Sequence, residues 1–400
     1  MSDKPDLKQH WRVFGPLLRR MARVSPFTIH HSTFNIPVLV LVVLTMSLAA
    51  QESSTPAPRF RPALPGWVYE FPRDHGSHDD FRTEWWYYTG HLTTAAGREY
   101  GFEVTFFRAG VDVIPGEVES PTSWDLEHLG LAHFAITDIG RQRFRYYEKL
   151  NRFSPWTAAA RTGSKHVFNE GWSVVTLSNG SFRLRASENG DAIDLVLSSA
   201  KPPAIHGENG VSVKAEGVGY ASHYYSLTRL NGKGTLRVEG VEQQVTATAW
   251  MDHEWGSAAL RETQVGWDWF SLQFDNGTEL MLYQIRKKDG TPDVTSSGTF
   301  VMVDGSIIPL RHDQFRIRPK GRWRSQRSGA VYPMGWRIEV IPLSLRLDID
   351  ERMKAQELTT ESSTQVTYWE GAVSARGNLG QTSIRGKGYV EMTGYGGRSQ

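Results

Sequence analysis

The chain has 400 residues, with 45 Lys and Arg against 43 Asp and Glu, an aromatic fraction of 12% that includes 14 Trp, and no cysteine. The absence of cysteine excludes disulfides, thiol catalysis and Cys-ligated zinc, and nearly cancelling charges with scattered Lys and Arg exclude the footprint of a nucleic-acid binder. The length points to two domains, and so many aromatic rings suit a wide core or an apolar ligand cavity.

The N-terminus reads as an export signal. Lys4, Lys8, Arg12, Arg19, Arg20 and Arg23 precede an apolar run from Ile36 to Met46, and Ser47-Leu48-Ala49 offers small residues to a signal peptidase. Residues 1–50 are therefore expected to be a signal peptide or an uncleaved inner-membrane anchor of a periplasmic protein. The apolar run is shorter than the ~20 residues of a bilayer span. Residues 51–66 are rich in Pro, Ser and Ala and read as a tether.

Beyond the tether, period-two alternation dominates. Trp86, Tyr88, Gly90 and Leu92 share one face of a strand, Tyr100, Phe102, Val104 and Phe106 one face of the next, and the two are expected to pair as a hairpin. Further strands are expected at 182–186, 194–197, 234–238, 267–274, 279–286, 336–341 and 388–393. Helical spacing is confined to the neighbourhood of Ala158 and the residues after Asp350. The turn Gly97-Arg98-Glu99 recurs at Gly277-Thr278-Glu279, 180 residues later (277 − 97) and again between Trp-rich and aromatic segments. Many short strands without crossover helices predict an all-β chain of two closed antiparallel β-barrels, 67–256 and 257–396.

Several segments join Trp to a carboxylate: Glu84-Trp85-Trp86-Tyr87, Trp250 to Trp255, Trp267-Asp268-Trp269 and Tyr368-Trp369-Glu370-Gly371. Such a carboxylate can be a structural anion paired with Arg108, Arg229 or Arg286. It can instead be an acid kept protonated by burial, with neighbouring ring faces ready to stabilise a carbocation. Asp252 is the first candidate acid, because Trp250, Asp252 and Glu254 fall on one strand face and His253 on the other. The candidate catalytic set is Asp252, Trp250, His253 and Glu254. Trp86, Tyr88, Phe106, Arg108, Tyr225, Trp255, Trp267, Trp269, Tyr283 and Trp369 are expected to line the ligand cavity. His75, His78 and Asp79, like the Asp252-His253-Glu254 run, lack the spacing of a zinc helix, so no metal site is assigned and His75 and His78 are expected to bond to loop backbone. Ser226 lacks a nucleophile elbow. His206-Gly207-Glu208-Asn209-Gly210 reads as a turn.

Taken in order, Phe71 to Gly76, Glu84 to Tyr87, Thr105 to Arg108, Trp250 to Trp255, Tyr368 to Gly371 and Gly388 to Tyr395 resemble the carotenoid 1,2-hydratase (hydroxyneurosporene synthase) and AttH-like family. The resemblance implies a pair of lipocalin-like barrels. In the pigment-making branch it implies cofactor-free addition of water to a terminal carotene double bond, with an Asp acid at the position of Asp252. That branch has Tyr two residues before the Asp, where this chain has Trp250, so the resemblance is nearer to the exported branch encoded beside ABC-type permeases. Such a member would bind a lipid, a carotenoid or another apolar small molecule, with an export permease as a partner and no nucleic acid. The N-terminal segment leaves membrane association open.

Overall fold

The computed structural model describes residues 60–111, 126–163 and 166–396. The signal segment and most of the tether lie outside the described residues. Residues 60–66, read as tether, are a correction: Phe60 and Ala63 are buried, the Phe60 ring lies under the Arg82 guanidinium, and the Arg61 amide donates to the Asp80 carbonyl.

The fold is all-β, with two lipocalin-like barrel sheets of thirteen and ten strands, and no α-helix among the described residues. The segments with helical spacing are strands: Ala158–Ala159, and after Asp350 the end of Leu345–Glu351 followed by Glu357–Thr359. The first sheet runs from Arg143–Arg152 at one edge through His128–Asp138, Glu99–Gly110, Thr83–Thr94, Val241–Gly256, Ala221–Val238 and Asp191–Ser199 to short strands ending at Ala158–Ala159. Side chains draw its edges together. Asn169 Nδ2 donates to the Gly130 carbonyl (3.0 Å), and Arg145 and Tyr147 both reach Asp191 (2.6 and 2.8 Å).

The expected hairpin forms, with Trp86 opposite Phe106, Tyr88 opposite Val104 and Leu92 opposite Tyr100. These residues fill the first barrel together with Tyr225, Met251 and Trp255. The second sheet contains Gln264–Phe274 paired with Glu279–Lys287 and Thr367–Leu379 paired with Thr382–Thr393. Trp336 and Trp369 lie in its core. Gly97 and Gly277, at the two repeated turns, have φ of 75° and 80°, a region where glycine carries no Cβ penalty.

The long hairpin of Ala221–Val238 and Val241–Gly256 joins the barrels. Its turn pairs Val238 with Val241 and Leu230 with Ala249, and the same count would set Leu227 against Asp252. A bulge between Leu227 and Leu230 shifts the register so that Ser226 faces Asp252 instead. The outer faces of this hairpin and of the 83–94 and 99–110 strands pack on the second barrel, around Tyr87, Tyr224, Trp250, Trp269, Met281, Tyr283 and Tyr389. Approach is close. A Cβ on Gly101 would stand 2.3 Å from the Tyr389 hydroxyl and 3.1 Å from Ala372 Cβ.

Candidate site between the barrels

Strand alternation sends neighbours in sequence to opposite environments. His133, Thr105, Tyr87, Asp252 and Ser226 stand directly opposite one another across five adjacent strands, on the face turned to the second barrel. Tyr283, Trp269, Glu391 and Glu370 form the corresponding row of the second barrel. The rows meet where the Tyr87 hydroxyl donates to Glu370 Oε1 (2.7 Å), and the Tyr87 and Trp269 rings pack edge to face at 5.2 Å.

Asp252 is 4% exposed. Its Oδ1 accepts from Trp250 Nε1 (2.6 Å) and lies 2.5 Å from Ser226 Oγ, and its Oδ2 accepts from the Tyr224 hydroxyl (2.7 Å). Tyr224 in turn accepts from Trp269 Nε1 (3.1 Å). No lysine or arginine pairs with Asp252 among the described residues. Burial pushes its carboxyl up to about 7, against the opposing pull of the Ser226, Tyr224 and Trp250 hydrogen bonds. The other acids of this face follow it. Burial raises Glu391 to about 8 and Glu103 to about 7, and it raises Glu370 well above the carboxylate range, helped by Glu103 and Glu391. Glu103 Oε2 and Glu370 Oε2 are buried with no hydrogen-bond partner. Glu254 has a charged partner: it binds Ser222 Oγ (2.5 Å) and Lys214 Nζ (3.1 Å), and that ammonium lies 4.1 Å from the Tyr283 ring centroid.

His253 does not belong to this site, which corrects the candidate catalytic set: with side chains alternating, it points into the first barrel. There Nε2 meets Glu84 Oε1 (2.8 Å), the same oxygen that His78 Nδ1 reaches at 2.7 Å, while Arg108 Nε binds Glu84 Oε2 (3.0 Å). Glu84, His78, His253 and Arg108 are all buried. His78, Glu84 and His253 converge within 4.8 Å, yet the Arg108 guanidinium already supplies the positive charge beside the carboxylate. Burial pushes Glu84 up, but the charges of His78 and Arg108 and the hydrogen bonds from His253 and His78 together hold it well below the carboxylate range. His78 Nε2 also reaches Asp74 Oδ1 (3.2 Å), and His75 Nδ1 reaches the Tyr225 hydroxyl (2.7 Å), so the ring partners of both are side chains and not the expected loop backbone.

The expected ligand-lining residues divide three ways. Trp86, Tyr88, Phe106, Arg108, Tyr225 and Trp255 lie inside the first barrel, whose cavity beside Trp86, Tyr88 and Met251 is about 10 Å³. That is room for about one water, so the first barrel is a packed core there and not a ligand chamber. Trp369 is core in the second barrel. Trp269 and Tyr283 belong to the inter-barrel face, and Trp267, Trp85 and Leu260 are half-buried at its rim. Asp268 faces the second barrel with Arg286 at 3.2 Å, and Arg229 holds Glu279 at 2.6 Å. His206, Ser226, Tyr224, Lys214, Glu103, Glu370 and Glu391 complete the inter-barrel site and were absent from the sequence-derived set. His206 does precede a turn, with Asn209 and Gly210 at positive φ, but its ring reaches Ser226 Oγ.

A family model described as AttH-like matches residues 62–395. Among solved structures, a protein described as AttH from Nitrosomonas europaea is 34% identical, with a TM-score of 0.75 over 84% of this chain and 100% of that one. Kievitone hydratase from Nectria haematococca is 16% identical, with a TM-score of 0.64 over 84% of this chain and 98% of that one, a likeness of fold. A search of the curated proteins finds no match.

Proposed function

The chain belongs to the AttH-like family, and from that premise we propose that it binds an unsaturated apolar small molecule between its barrels and protonates it from Asp252. The observation that carries this reading is the carboxyl itself: buried among Trp250, Trp269 and Tyr87, without a Lys or Arg pair among the described residues, and held up at about 7. An acid with that value is largely protonated at slightly acid pH and gives up its proton readily. Its proton adds to one carbon of a double bond, the cation at the other carbon lies among ring faces, and water adds there. The oxygen then loses a proton to the Asp252 carboxylate, and the acid is restored. The kinship in fold with a hydratase supports hydration over isomerisation.

The N-terminal basic and apolar stretch supports a periplasmic setting, and the resemblance to members encoded beside ABC-type permeases supports a permease partner. The packed first barrel weighs against carriage of a ligand inside it.

The test is incubation of the purified protein with an acyclic carotene in ¹⁸O-labelled water, followed by mass spectrometry. A product heavier by one labelled water, formed by wild type and lost in Asp252→Asn that is folded and no less stable than wild type, is expected, with a rate loss of roughly 10²–10⁴-fold. Equal turnover by the Asn variant would refute the role of Asp252.

A further inference from the structure

His206 enters the inter-barrel face ahead of the 221–238 strand and is 1% exposed. Its Nε2 lies 2.6 Å from Ser226 Oγ, and its Nδ1 lies 2.8 Å from Thr299 Oγ1 of the second barrel. Ser226 Oγ lies 2.5 Å from Asp252 Oδ1. The four side chains form one buried chain across the interface, and each contact admits either direction of donation.

We propose that His206 is a positioning residue that holds Asp252 in its acid form by taking the hydroxyl hydrogen of Ser226. The inference rests on the reading of Asp252 as a proton donor. It follows from placing every hydrogen. A proton on Oδ2 would have to be given to the Tyr224 hydroxyl, which already accepts from Trp269 and would then have no acceptor for its own hydrogen among its partners. A proton on Oδ1 can be given to Ser226 Oγ only if Ser226 donates onward, and its other partner is His206 Nε2. His206 then carries its hydrogen on Nδ1 and donates to Thr299 Oγ1.

When Asp252 gives up its proton, Ser226 turns its hydroxyl hydrogen to the new carboxylate. His206 keeps its hydrogen on Nδ1, bonded to Thr299 Oγ1, and Nε2 is left a buried acceptor with no donor among its partners. That lost bond weighs against the carboxylate and favours return of the proton to Asp252. Neutrality of the ring is required, and burial followed by the charge of Lys214 brings His206 down to about 3. The other groups facing Asp252 are Trp250 and Glu254 on its own strand, Tyr224 on the adjoining strand, Tyr87, Lys214, and Tyr283, Glu370 and Glu391 from the second barrel. None of them accepts a hydrogen from Ser226.

The experiment is a pH titration by NMR of protein labelled with ¹³C at the aspartate carboxyls, the Asp252 signal being assigned by its loss in Asp252→Asn. His206→Phe removes the acceptor that lets Ser226 receive the acid proton, so the Asp252 midpoint should fall by about one unit. Ser226→Ala removes a donor to the carboxylate, so the midpoint should rise. His206→Gln, whose amide oxygen can accept from Ser226, should return it toward wild type. Opposite shifts in the first two variants are the signature, since a packing role for His206 would change melting temperature without moving the titration. Should His206→Phe not fold, the upward shift in Ser226→Ala and the value in His206→Gln still decide. An unmoved midpoint in His206→Phe, or a fall in Ser226→Ala, would overturn the role of His206. A wild-type midpoint in the ordinary carboxylate range would overturn the reading of Asp252 itself.

Discussion

Asp252 and His253 are adjacent in the chain yet belong to opposite kinds of polar cluster. His253 faces the interior of the first barrel, where Glu84 meets two imidazoles and the Arg108 guanidinium and stays ionised. Asp252 faces the second barrel, where its donors are a serine, a tyrosine and an indole, and burial keeps its carboxyl high. Both carboxyls are enclosed to a similar degree, so depth does not separate them. Partner charge does: Arg108 with two imidazoles holds Glu84 ionised, burial raises Asp268 to about 6 against the single guanidinium of Arg286, and Asp252, with no Lys or Arg pair among the described residues, is raised furthest of the three.

The largest effect is expected where that contrast is broken on the ionised side. Arg108→Leu leaves Glu84 without its guanidinium in a buried site, and chemical denaturation should show a loss of roughly 3–5 kcal/mol. The same substitution should leave the titration of Asp252 unmoved in whatever fraction stays folded. A loss below about 1 kcal/mol would mean that His78 and His253 alone neutralise Glu84.

The two clusters should also act on opposite limbs of the stability–pH curve. Glu84 is lowered in the folded state, so its contribution is present above the ordinary carboxylate range and is lost as pH falls through its folded value. Asp252 is raised, so the folded protein holds a proton that the unfolded chain releases, and stability falls as pH rises from about 4 through about 7. Glu103 and Glu391 add in the same direction up to about 7 and about 8. Melting temperature should therefore peak at about pH 4. Asp252→Asn should flatten the neutral limb by ~2–4 kcal/mol between those limits. An unchanged limb would assign the slope to Glu103, Glu370 and Glu391.

The alternation Trp250, Asp252, Glu254 against Met251, His253, Trp255 was legible from period two alone, as were the 83–94/99–110 hairpin and the all-β class. What each face meets was not. The Trp-rich faces were expected to enclose a ligand inside a barrel, but most of them make its core, and the partly open rings lie between barrels. Ser226 was out of reach for a definite reason, because counting from the Glu239-Gly240 turn sets Leu227 opposite Asp252 and only the bulge brings Ser226 there. His206, Glu370 and Glu391 come from distant segments, and no local pattern ties them to Asp252. The pairing of carboxylates with Arg108, Arg229 and Arg286 was one of two readings, and the structure applies it to Glu84, Glu279 and Asp268 while sparing Asp252.

A smaller effect sharpens the contrast from the neutral side. Tyr87→Phe removes the hydroxyl that donates to Glu370 Oε1, leaving a second oxygen of that carboxyl unpartnered, at a cost of about 1–3 kcal/mol. Because burial raises Glu370 well above the carboxylate range, the loss should vary little between about pH 5 and about pH 7. A loss that grows steeply with pH would show that Glu370 ionises in that range.

The most direct test is an infrared difference spectrum at about pH 6, below the folded value of Asp252 and above the ordinary carboxylate range. Subtracting Asp252→Asn from wild type should leave a positive neutral carboxylic C=O band, and subtracting Glu84→Gln should leave positive carboxylate bands. Loss of carboxylate bands in Asp252→Asn would show the residue to be an anion, and the inter-barrel acid would not exist.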